Sequence, residues 1–506
     1  MTTPSRYEQI GSRTVDLKRF GMLDGVVPAP EVQIKFDHRA RTTGRWMGAD
    51  VAFSVMFPDG LRWLWWFGDT HWAFPGDPIP RANRRKAHVT NDSIAIQTGR
   101  NPATASFEFA GHATRKNFLE IPGGTHYAWA QSALFIGNDL YIWSQRVREG
   151  DWMVQAGWCV HRQLNAGTMN PLFWSPTLLH QSADTASRPV HSPHEEFDGY
   201  IYTFMLTQEV GWARARWPKT SLQAGDAAGV EYGTLTGWSP NAADAHVIAD
   251  SQVGAAGSVQ RRPSDGRWVM VQSGVEFPKC KVQIRMVEKN ADGNFYPSGT
   301  YKPIEPHFQV GDRVDSSGDF DLDGRVVGIV SATERDIILD PLWDADQTIR
   351  RRDVSQLTMR TRTDRYFIDP PENYKPGTPN VSTYEARGHY SLSDPLDNGA
   401  KGYLLSYADN SDWLDANSQP VAGGVADDMS TYWPKFWWVL PPRIDAKAVD
   451  AAGLATWTLW GQWDRILVRV NAGAWIEVSP AATSYQAAAG DTVTIRAIGL
   501  GGEVTA

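Results

Sequence analysis

One pattern recurs along this chain: a turn, then a glycine, then a strand rich in aromatic residues. Its five copies carry Gly60, Gly137, Gly199, Gly266 and Gly402. The first three spacings are 77, 62 and 67 residues, and the last is 136. Short alternating runs between the copies are separated by Gly, Pro, Asn and Asp, which is typical of strands rather than helices.

Small sheets that repeat in this way bury their faces only against their neighbours, and closing them into a ring removes the exposed ends. The pattern therefore predicts an all-β chain with a five-bladed β-propeller. An insertion explains the long last spacing. Residues 303–360 contain the runs VGDRV, GRVVGIV and DIILD, which are typical of a small SH3-like barrel, and without them the spacing falls to 78.

The strand rhythm changes again near the Pro441-Pro442 pair. The short alternating runs beyond it predict a C-terminal β-sandwich of the Ig/fibronectin type, with an additional propeller sheet as the alternative. The predicted domains are a propeller catalytic domain over 1–302 and 361–442, an inserted SH3-like barrel over 303–360, and the sandwich over 443–506.

Composition limits the possible ligands. The 506 residues carry a net charge of -8, which argues against a nucleic-acid partner. Two cysteines, Cys159 and Cys280, exclude a disulfide scaffold and a cysteine-rich zinc site. The 23 Trp and 16 Tyr suit sheet cores, or platforms for flat ligands such as sugar rings. No apolar run has the length of a signal peptide or a membrane span, so we expect a protein made in the cytosol with no membrane partner.

The stretch GADVAFSVMFPDGLRWLWWFGDT, from Gly48 to Thr70, predicts a hairpin with an acid near each outer end. An Asp59-Gly60 loop is typical of a two-residue type I′ turn. In the resulting register, Asp50 lies opposite Asp69. The same register pairs smaller or flexible side chains with large rings: Ala52 with Phe67, Ser54 with Trp65, and Met56 with Trp63. Two opposed acids repel, so we expect one raised pKa where water is partly excluded.

A third acid, Asp92, is expected at the same end of the sheet, because the next strand runs antiparallel from Asn91. None of the other four repeats ends its aromatic strand in Gly-Asp, so the acid cluster is confined to one repeat. The alternative for each acid is a structural one, in which the carboxylate bonds to turn backbone or to Thr70 and Ser93.

Carboxylates can act as acid, base or nucleophile at an anomeric carbon. We therefore read Asp50, Asp69 and Asp92 as candidate catalytic residues. The candidate substrate-binding residues are His71, Trp72, Asn91, His126, Tyr127, Trp129, His191, Trp212, Arg214 and His389. An ordinary hydrogen-bonding role is the alternative for His126 and His389.

No cofactor is expected to be required. The run DFDLDG, with Asp319, Asp321 and Asp323, matches the first half of a calcium-binding loop. The twelfth position is Val330 instead of Glu, so a solvated turn is the favoured interpretation and calcium the lesser one.

The hairpin, NDSIA, HYAWAQSALFIGNDLYIW, GWARARWP, GSVQRRPSDGRWVMV and GHYSLSDP together resemble a family of bacterial and phage proteins linked to endo-D-arabinanase activity, formerly a domain of unknown function. The resemblance covers approximately residues 44–412 without the insertion. It implies a five-bladed propeller that cleaves α-D-arabinofuranosyl linkages in mycobacterial-type arabinogalactan and lipoarabinomannan. By position, the family's catalytic aspartates fall on Asp50 and Asp69, and Asp92 would support them.

The three carboxylates, the family resemblance and the expected synthesis in the cytosol leave three candidate functions. The first is an endo-acting glycoside hydrolase, a phage tail-associated depolymerase made in the cytosol without a signal peptide and acting from the virion on the extracellular cell wall. Its partners would be the D-arabinan polysaccharide and other phage tail proteins. The alternative is a non-catalytic carbohydrate-binding propeller of a phage virion, and the third is a purely structural virion component. The choice between inverting and retaining chemistry, and the identity of the acid, stay open.

Overall fold

The computed structural model is almost entirely β-structure, as the sequence predicts. It describes residues 7–10, 13–16, 19–20, 25–37, 45–77, 87–112, 116–148, 151–185, 187–195, 198–207, 211–246, 249–250, 257–261, 268–273, 280–283, 313–316, 323–331, 336–341, 349–351, 364–368, 381–393, 401–411, 432–461, 463 and 465–506. Helices in these ranges are short: α-helices Pro30–Gln33 and Lys219–Gln223, and single 3-10 turns Pro171–Phe173, Ala242–Asp244 and Tyr390–Leu392. None of the helices in these ranges is long and apolar enough to span a membrane.

Five sheets, named A to E in chain order, carry most of the strands. Sheet A contains Ala52–Met56, Arg62–Phe67, Ser93–Thr98 and Ser106–Ala110. Sheet B contains His126–Ile136, Asp139–Arg148, Asp151–Gln163 and Thr177–Ser182. Sheet C contains Ser187–Glu195, Tyr200–Thr207, Gly211–Pro218, Glu231–Gly233 and Trp238–Ser239, with Ala249–Asp250 pairing beside the third strand. All three are antiparallel meanders.

Sheets D and E combine segments that are distant in the sequence. Sheet D contains Gly257–Arg261, Trp268–Ser273, Asp364–Ile368 and Arg19–Phe20, and the last two strands join it in parallel. Sheet E contains Val381–Gly388, Tyr403–Ser411, Lys435–Val439 and, as its last strand, Val26–Pro28. An early strand thus completes the last of the five sheets.

The first strands of the five sheets form a closed cycle of neighbours. The strand of A packs against that of B, B against C, C against D, D against E, and E against A again. Hydrogen bonds cross every junction: Trp129–Asp69 (A–B), Ser132–Val190 O (B–C), Val259 N–Ser192 (C–D), Gly388 N–Ser258 (D–E) and Ser54–His389 (E–A).

The remaining strands form smaller sheets. A three-stranded sheet of Trp46–Ala49, Thr70–Trp72 and His88–Thr90 extends the hairpin of sheet A, and Tyr7–Ile10 pairs with Arg13–Asp16. Cys280–Gln283, Arg313–Ser316, Asp323–Ser331, Asp336–Pro341 and Ile349–Arg351 form one sheet, which includes a strand before the predicted boundary at 303. Two C-terminal sheets contain Arg443–Val449, Leu454–Trp460 and Ser484–Gln486, and Arg465–Val470, Ile476–Val478, Val493–Gly499 and Gly502–Thr505. The blade count, the barrel class and the sandwich class stay predictions.

The aromatic run of sheet A is buried on both faces. Alternation along Arg62–Phe67 sends Trp63, Trp65 and Phe67 into a cluster with Phe436 and Trp438 of sheet E. Leu64 and Trp66 point the other way, into a cluster with residues of sheet B such as Leu140 and Ile142. A strand between two neighbouring sheets therefore needs apolar side chains at every position, which explains why this run does not alternate with polar residues.

The predicted register of this hairpin is confirmed, but its predicted turn type is wrong. Ala52 pairs with Phe67, Ser54 with Trp65 and Met56 with Trp63, as expected. The loop is longer than two residues: Gly60 N donates to Phe57 O, and Arg62 O accepts from Phe57 N. A type I′ turn needs positive φ at both Asp59 and Gly60, whereas only Gly60 has it. Instead, the Asp59 carboxylate accepts the backbone N–H groups of Leu61 and Arg62 and fixes a wider turn.

Candidate active site

The backbones of Asp50 and Asp69 lie opposite each other, where sheet A ends and the three-stranded sheet begins. Ala52 pairs with Phe67 on one side and Ala49 with Thr70 on the other, so the register is the same on both sides of the two acids. Asp50 N lies 3.3 Å from Asp69 O, and Gly68 N donates to Asp50 O at 2.9 Å. Both acids are partly exposed. The backbones of Asp50 and Asp69 are thus opposed, as the predicted register requires, and their catalytic role stays a prediction.

Val51 is strained at this point. Its φ of 45° lies in the left-handed region, which a β-branched residue rarely adopts. Such a conformation costs about 1–3 kcal/mol and persists only where the surroundings enforce it. Since the residue directly follows Asp50, the strain turns the chain out of sheet A beside the acid, which is where a functional site is expected.

Gly68 makes room for the carboxylate of Asp50. A Cβ atom at this position would overlap Asp50 Oδ1 and lie 3.4 Å from its Cγ. The backbone φ of Gly68 is not positive, so the requirement here is close approach and not conformational freedom. The glycine of the Phe-Gly-Asp-Thr motif therefore lets Asp50 lie across the neighbouring strand.

Each of the two acids accepts a hydrogen bond from a neutral donor on another sheet or segment. Trp129 Nε1 of sheet B donates to Asp69 Oδ1 at 2.9 Å. The hydroxyl of Tyr432, just before the third strand of sheet E, donates to Asp50 Oδ2 at 3.2 Å. Tyr432 has a φ of 61° and packs edge-on against His71, with ring centroids 5.2 Å apart.

Sequence reasoning missed Tyr432. It lies 382 positions from Asp50 and has no motif of its own. Only the closed cycle of sheets brings the start of the Lys435–Val439 strand beside the first sheet, so the signal that could have found it is the neighbourhood of the first and last repeats.

Asp92 reaches the same end of the sheet but points into the protein. Ser93 pairs with Phe67, which places Asp92 opposite Gly68. Its side chain is 1% exposed, and its two oxygens accept the backbone N–H groups of Phe118 and Leu119 at 2.8 and 3.0 Å. Burial, together with the nearby charges of Asp69 and Glu120, raises the pKa of Asp92 to about 7 against the effect of these two bonds. Asp92 thus holds a loop and acts on the pair electrostatically.

Three further predicted residues surround the acids. His71 is buried against Tyr432. Trp72 is partly exposed, donates from Nε1 to Thr90 Oγ1 at 3.0 Å, and lies against Gly111. Asn91 is partly buried, and its backbone N–H donates to Asn117. These residues form the wall beside Asp69.

The start of sheet B supplies three more. Trp129 is partly exposed and holds Asp69, and Tyr127 packs edge-on against it with ring centroids 5.6 Å apart. His126 is partly exposed, and its Nδ1 lies 2.8 Å from Thr125 Oγ1 and 3.2 Å from an Arg146 nitrogen. Desolvation, followed by the charge of Arg146, lowers the pKa of His126, so it is neutral near pH 7.

Four predicted residues have other roles. His389 is 1% exposed and is held between Ser54 Oγ at 2.8 Å and Ser406 Oγ at 2.7 Å, so we assign it to the junction of sheets A and E. His191 and Trp212 are fully buried and pack together, with ring centroids 5.0 Å apart. Arg214 lies over the ring of Tyr202 within sheet C, 4.7 Å from its centroid.

The described residues offer no cluster of three or more His, Cys, Asp or Glu arranged to hold a metal ion. The possible calcium loop is not covered: Asp319 and Asp321 lie outside the described residues, as does the side chain of Asp323, whose backbone begins the strand Asp323–Ser331.

Residues 33–279 match the sequence profile of a family described as a domain of unknown function, DUF5005. The matched segment is just under half of the chain and contains Asp50, Asp69 and Asp92, but not Tyr432. No curated protein shows significant similarity to the chain.

Solved structures with a similar course of the chain include a proposed hydrolase from Bacteroides ovatus ATCC 8483, at 16% identity and a TM-score of 0.43, covering 81% of this chain and 89% of that one. The catalytic domain of a Coprinopsis cinerea GH62 α-L-arabinofuranosidase shows 11% identity and a TM-score of 0.30, covering 78% and 96%. A Cellvibrio cellulosa α-L-arabinanase shows 10% identity and a TM-score of 0.29, covering 81% and 95%. At these values the likenesses establish neither the fold nor the activity of this chain.

Proposed function

We propose that this protein is an endo-acting glycoside hydrolase in which Asp50 and Asp69 form the catalytic pair. The observation that carries the proposal is the opposition of the Asp50 and Asp69 backbones beside the strained residue Val51, with both side chains partly exposed and each bonded to a donor from another sheet or segment. Aspartates that serve only to cap turns accept backbone N–H groups, as Asp59 and Asp92 do here.

Two carboxyl groups on adjacent strands suit the hydrolysis of an acetal. One protonates the departing sugar oxygen, and the other attacks the anomeric carbon or activates a water molecule. The roles of Asp50 and Asp69 depend on the separation of their carboxyl groups around a bound sugar, which also decides between retention and inversion. Asp92 contributes a nearby group whose protonation changes the field at Asp69.

The fold proposed for this chemistry is the five-bladed propeller, with sheets A to E as blades and the acids at one end of the cycle. The closed contacts among the five first strands and the completion of sheet E by Val26–Pro28 support it. The inserted barrel and the C-terminal sandwich belong to the same proposal.

For the substrate we propose α-D-arabinofuranosyl chains of mycobacterial-type arabinogalactan and lipoarabinomannan. The resemblance of the motifs around Asp50 and Asp69 supports this choice. The partly exposed rings of Trp72 and Trp129 beside the acids offer faces on which sugar rings stack. We further propose that the enzyme acts on the cell wall as part of a phage tail, and detection of the chain on purified virions would test that setting.

The test of the activity is the release of reducing ends from mycobacterial arabinogalactan by the full chain. We expect Asp50→Asn and Asp69→Asn each to lower the rate by about 10²–10⁴-fold, since each removes a group that transfers a proton or attacks the sugar. Asp59→Asn is the matched control, because it makes the same change in the turn at the other end of the hairpin and should keep full activity.

Two outcomes would contradict the proposal. If the wild type binds the polysaccharide but releases no reducing ends, the chain is a carbohydrate-binding protein. If Asp50→Asn and Asp69→Asn retain full activity, the catalytic pair lies elsewhere.

A further inference from the structure

A second cluster of polar groups lies in the middle of the cycle of sheets, away from the carboxylate pair. Arg387, in the first strand of sheet E, donates to Gly257 O of sheet D and to Gln131 Oε1 of sheet B at 2.9 Å. These two sheets are not neighbours in the cycle. A side chain that reaches both must therefore lie near its centre.

His191 of sheet C belongs to the same layer. The residue before it, Val190, accepts a hydrogen bond through its carbonyl from Ser132, the residue after Gln131. The His191 ring packs on Trp212, whose ring in turn lies against Gly257. Sheet B thus contacts the residue before His191, and sheet D contacts the ring on which His191 packs.

Arg188 joins the cluster through a bulge in the first strand of sheet C. Arg188 pairs with Leu206 and His191 with Phe204, so three steps on one strand match two on the other. Since Leu206 and Phe204 are two residues apart, Arg188 and His191 point to the same face of the sheet. Further bulges occur beside Gln131 and Arg387 in the first strands of sheets B and E.

Several buried nitrogens on this face have no hydrogen-bond acceptor among the described residues. His191 is fully buried, and neither of its ring nitrogens has a hydrogen-bond partner within the described part of the chain. Nε and one terminal nitrogen of the Arg188 guanidinium are also buried, and neither has a hydrogen-bond partner among the described residues. Leaving such groups unsatisfied is costly, so native proteins fill these places with a ligand or water.

The charge of the cluster is positive. Burial, with the charges of Arg387 and Arg188 next, holds the pKa of His191 well below its usual value, so the ring is neutral. Asp184 is the acid that acts on Arg188, and burial lowers the pKa of Arg188 to about 10. Two guanidinium groups around one neutral ring repel a cation and attract an anion.

We propose that Arg188 and His191 form a central site for one small monovalent anion of the size and chemistry of chloride. The anion accepts the imidazole N–H and the free N–H groups of Arg188, and it offsets the charge shared with Arg387. It thereby couples sheet C electrostatically to Arg387 of sheet E, which itself bonds to sheets B and D. This site is separate from the proposed catalytic pair, and its test needs no substrate.

Thermal unfolding of the full chain in sodium chloride and in sodium gluconate, at equal ionic strength, provides the first test. Gluconate is too large for a buried site. A site with a dissociation constant of about 1 mM predicts a melting temperature about 3 °C higher in 100 mM chloride. His191→Gln and Arg188→Met should abolish the difference. Arg469→Met is the matched control, because it removes an arginine that lies over Trp475 in the C-terminal sheets, and it should keep the difference.

Equal melting temperatures of the wild type in the two salts would overturn the proposal. So would stabilisation by calcium gluconate that His191→Gln abolishes, because the cluster would then bind a cation. If the variants fail to fold, crystals of the wild type in sodium bromide decide the question. An anomalous scattering peak at hydrogen-bond distance from His191 and Arg188 supports the site, and density without anomalous signal shows water there instead.

Discussion

Trp129 donates its indole N–H to Oδ1 of Asp69 at 2.9 Å, across the junction between sheets A and B. One acid of the pair is therefore held by a sheet to which it does not belong. The other is held in the same way from the opposite side, by Tyr432 next to sheet E. The geometry of the pair thus depends on how three neighbouring sheets fit together.

Tyr432→Phe removes the hydroxyl that orients Asp50 and keeps the ring that packs on His71. A hydrogen bond to a charged group contributes about 1.5–3 kcal/mol, so we expect kcat/KM on arabinogalactan to fall by about 10- to 100-fold. The melting temperature should change little, because the ring remains. Tyr485→Phe in the C-terminal sheets is the matched control and should leave kcat/KM unchanged. Equal activity of both variants would show that the Tyr432 hydroxyl has no role in orienting Asp50.

Gly68→Ala inserts a methyl group where the carboxylate of Asp50 lies. A displacement of about 1 Å at a reacting group costs about 100-fold in rate, and we expect a loss of at least that size. Gly229→Ala is the matched control, because a Cβ there meets no atom within 4 Å and its φ is not positive. The reducing-end assay and circular dichroism together measure the effect. A fully active Gly68→Ala variant would contradict the proposed position of Asp50.

Asp92 makes the stability of the fold depend on pH. Its pKa is 3.8 in the unfolded chain and about 7 in the folded one, so between these values the folded state binds more protons. The contribution of Asp92 is fully present below pH 3.8 and is lost as the pH rises to about 7, by roughly 4 kcal/mol at most.

Asp92→Asn should remove this slope. The free energy of unfolding in urea, measured at pH 4.5 and pH 7.5, should fall with pH more steeply in the wild type than in the variant. The variant should also lose one of the two bonds to Phe118 and Leu119, because an amide has a single acceptor oxygen. An identical pH slope in both proteins would show that Asp92 is ionised in the folded state throughout this range.

His389→Ala tests the structural role assigned to this histidine. The change leaves the hydroxyls of Ser54 and Ser406 without their shared partner and opens a cavity beside Trp65, so we expect a loss of about 3 kcal/mol of stability. Because burial lowers the pKa of His389 from 6.5 to about 3, the histidine of the unfolded wild type binds a proton at pH 6 and the folded one does not, so the loss should be about 0.8 kcal/mol smaller at pH 6 than at pH 8. Rates per folded molecule should stay near the wild-type value, whereas a substrate contact would raise KM without changing stability.

Local features of the chain were predictable from the sequence. The Asp59-Gly60 pair predicts the centre of the hairpin, and the match of smaller side chains with rings supports the register of Ala52 with Phe67, which places Asp50 opposite Asp69. The turn was not predicted, because Asp59 bonds to the following backbone instead of adopting the positive φ that the Asp-Gly pair indicates.

Features that arise from distant contacts were not predictable. Tyr432 reaches Asp50 only because sheets A and E are neighbours. The bulges that turn Arg188 and His191 to one face leave no mark in the alternation of apolar residues. The histidines were candidates for sugar contacts by residue type and by their place in the first strands of their repeats. Burial, which decides between sugar contact and packing for His191 and His389, depends on the assembled sheets.

The strand Val26–Pro28 has a consequence for how the protein is made. It pairs with Lys435–Val439, more than 400 positions later, and completes the last of the five sheets. A ribosome releases the early strand first, at about 5–20 residues per second, so it waits tens of seconds for its partner. Throughout that time the growing chain has unpaired strand edges that could associate with other nascent chains. We therefore expect expression at high temperature to favour inclusion bodies, and slow synthesis or chaperones to raise the yield of native protein.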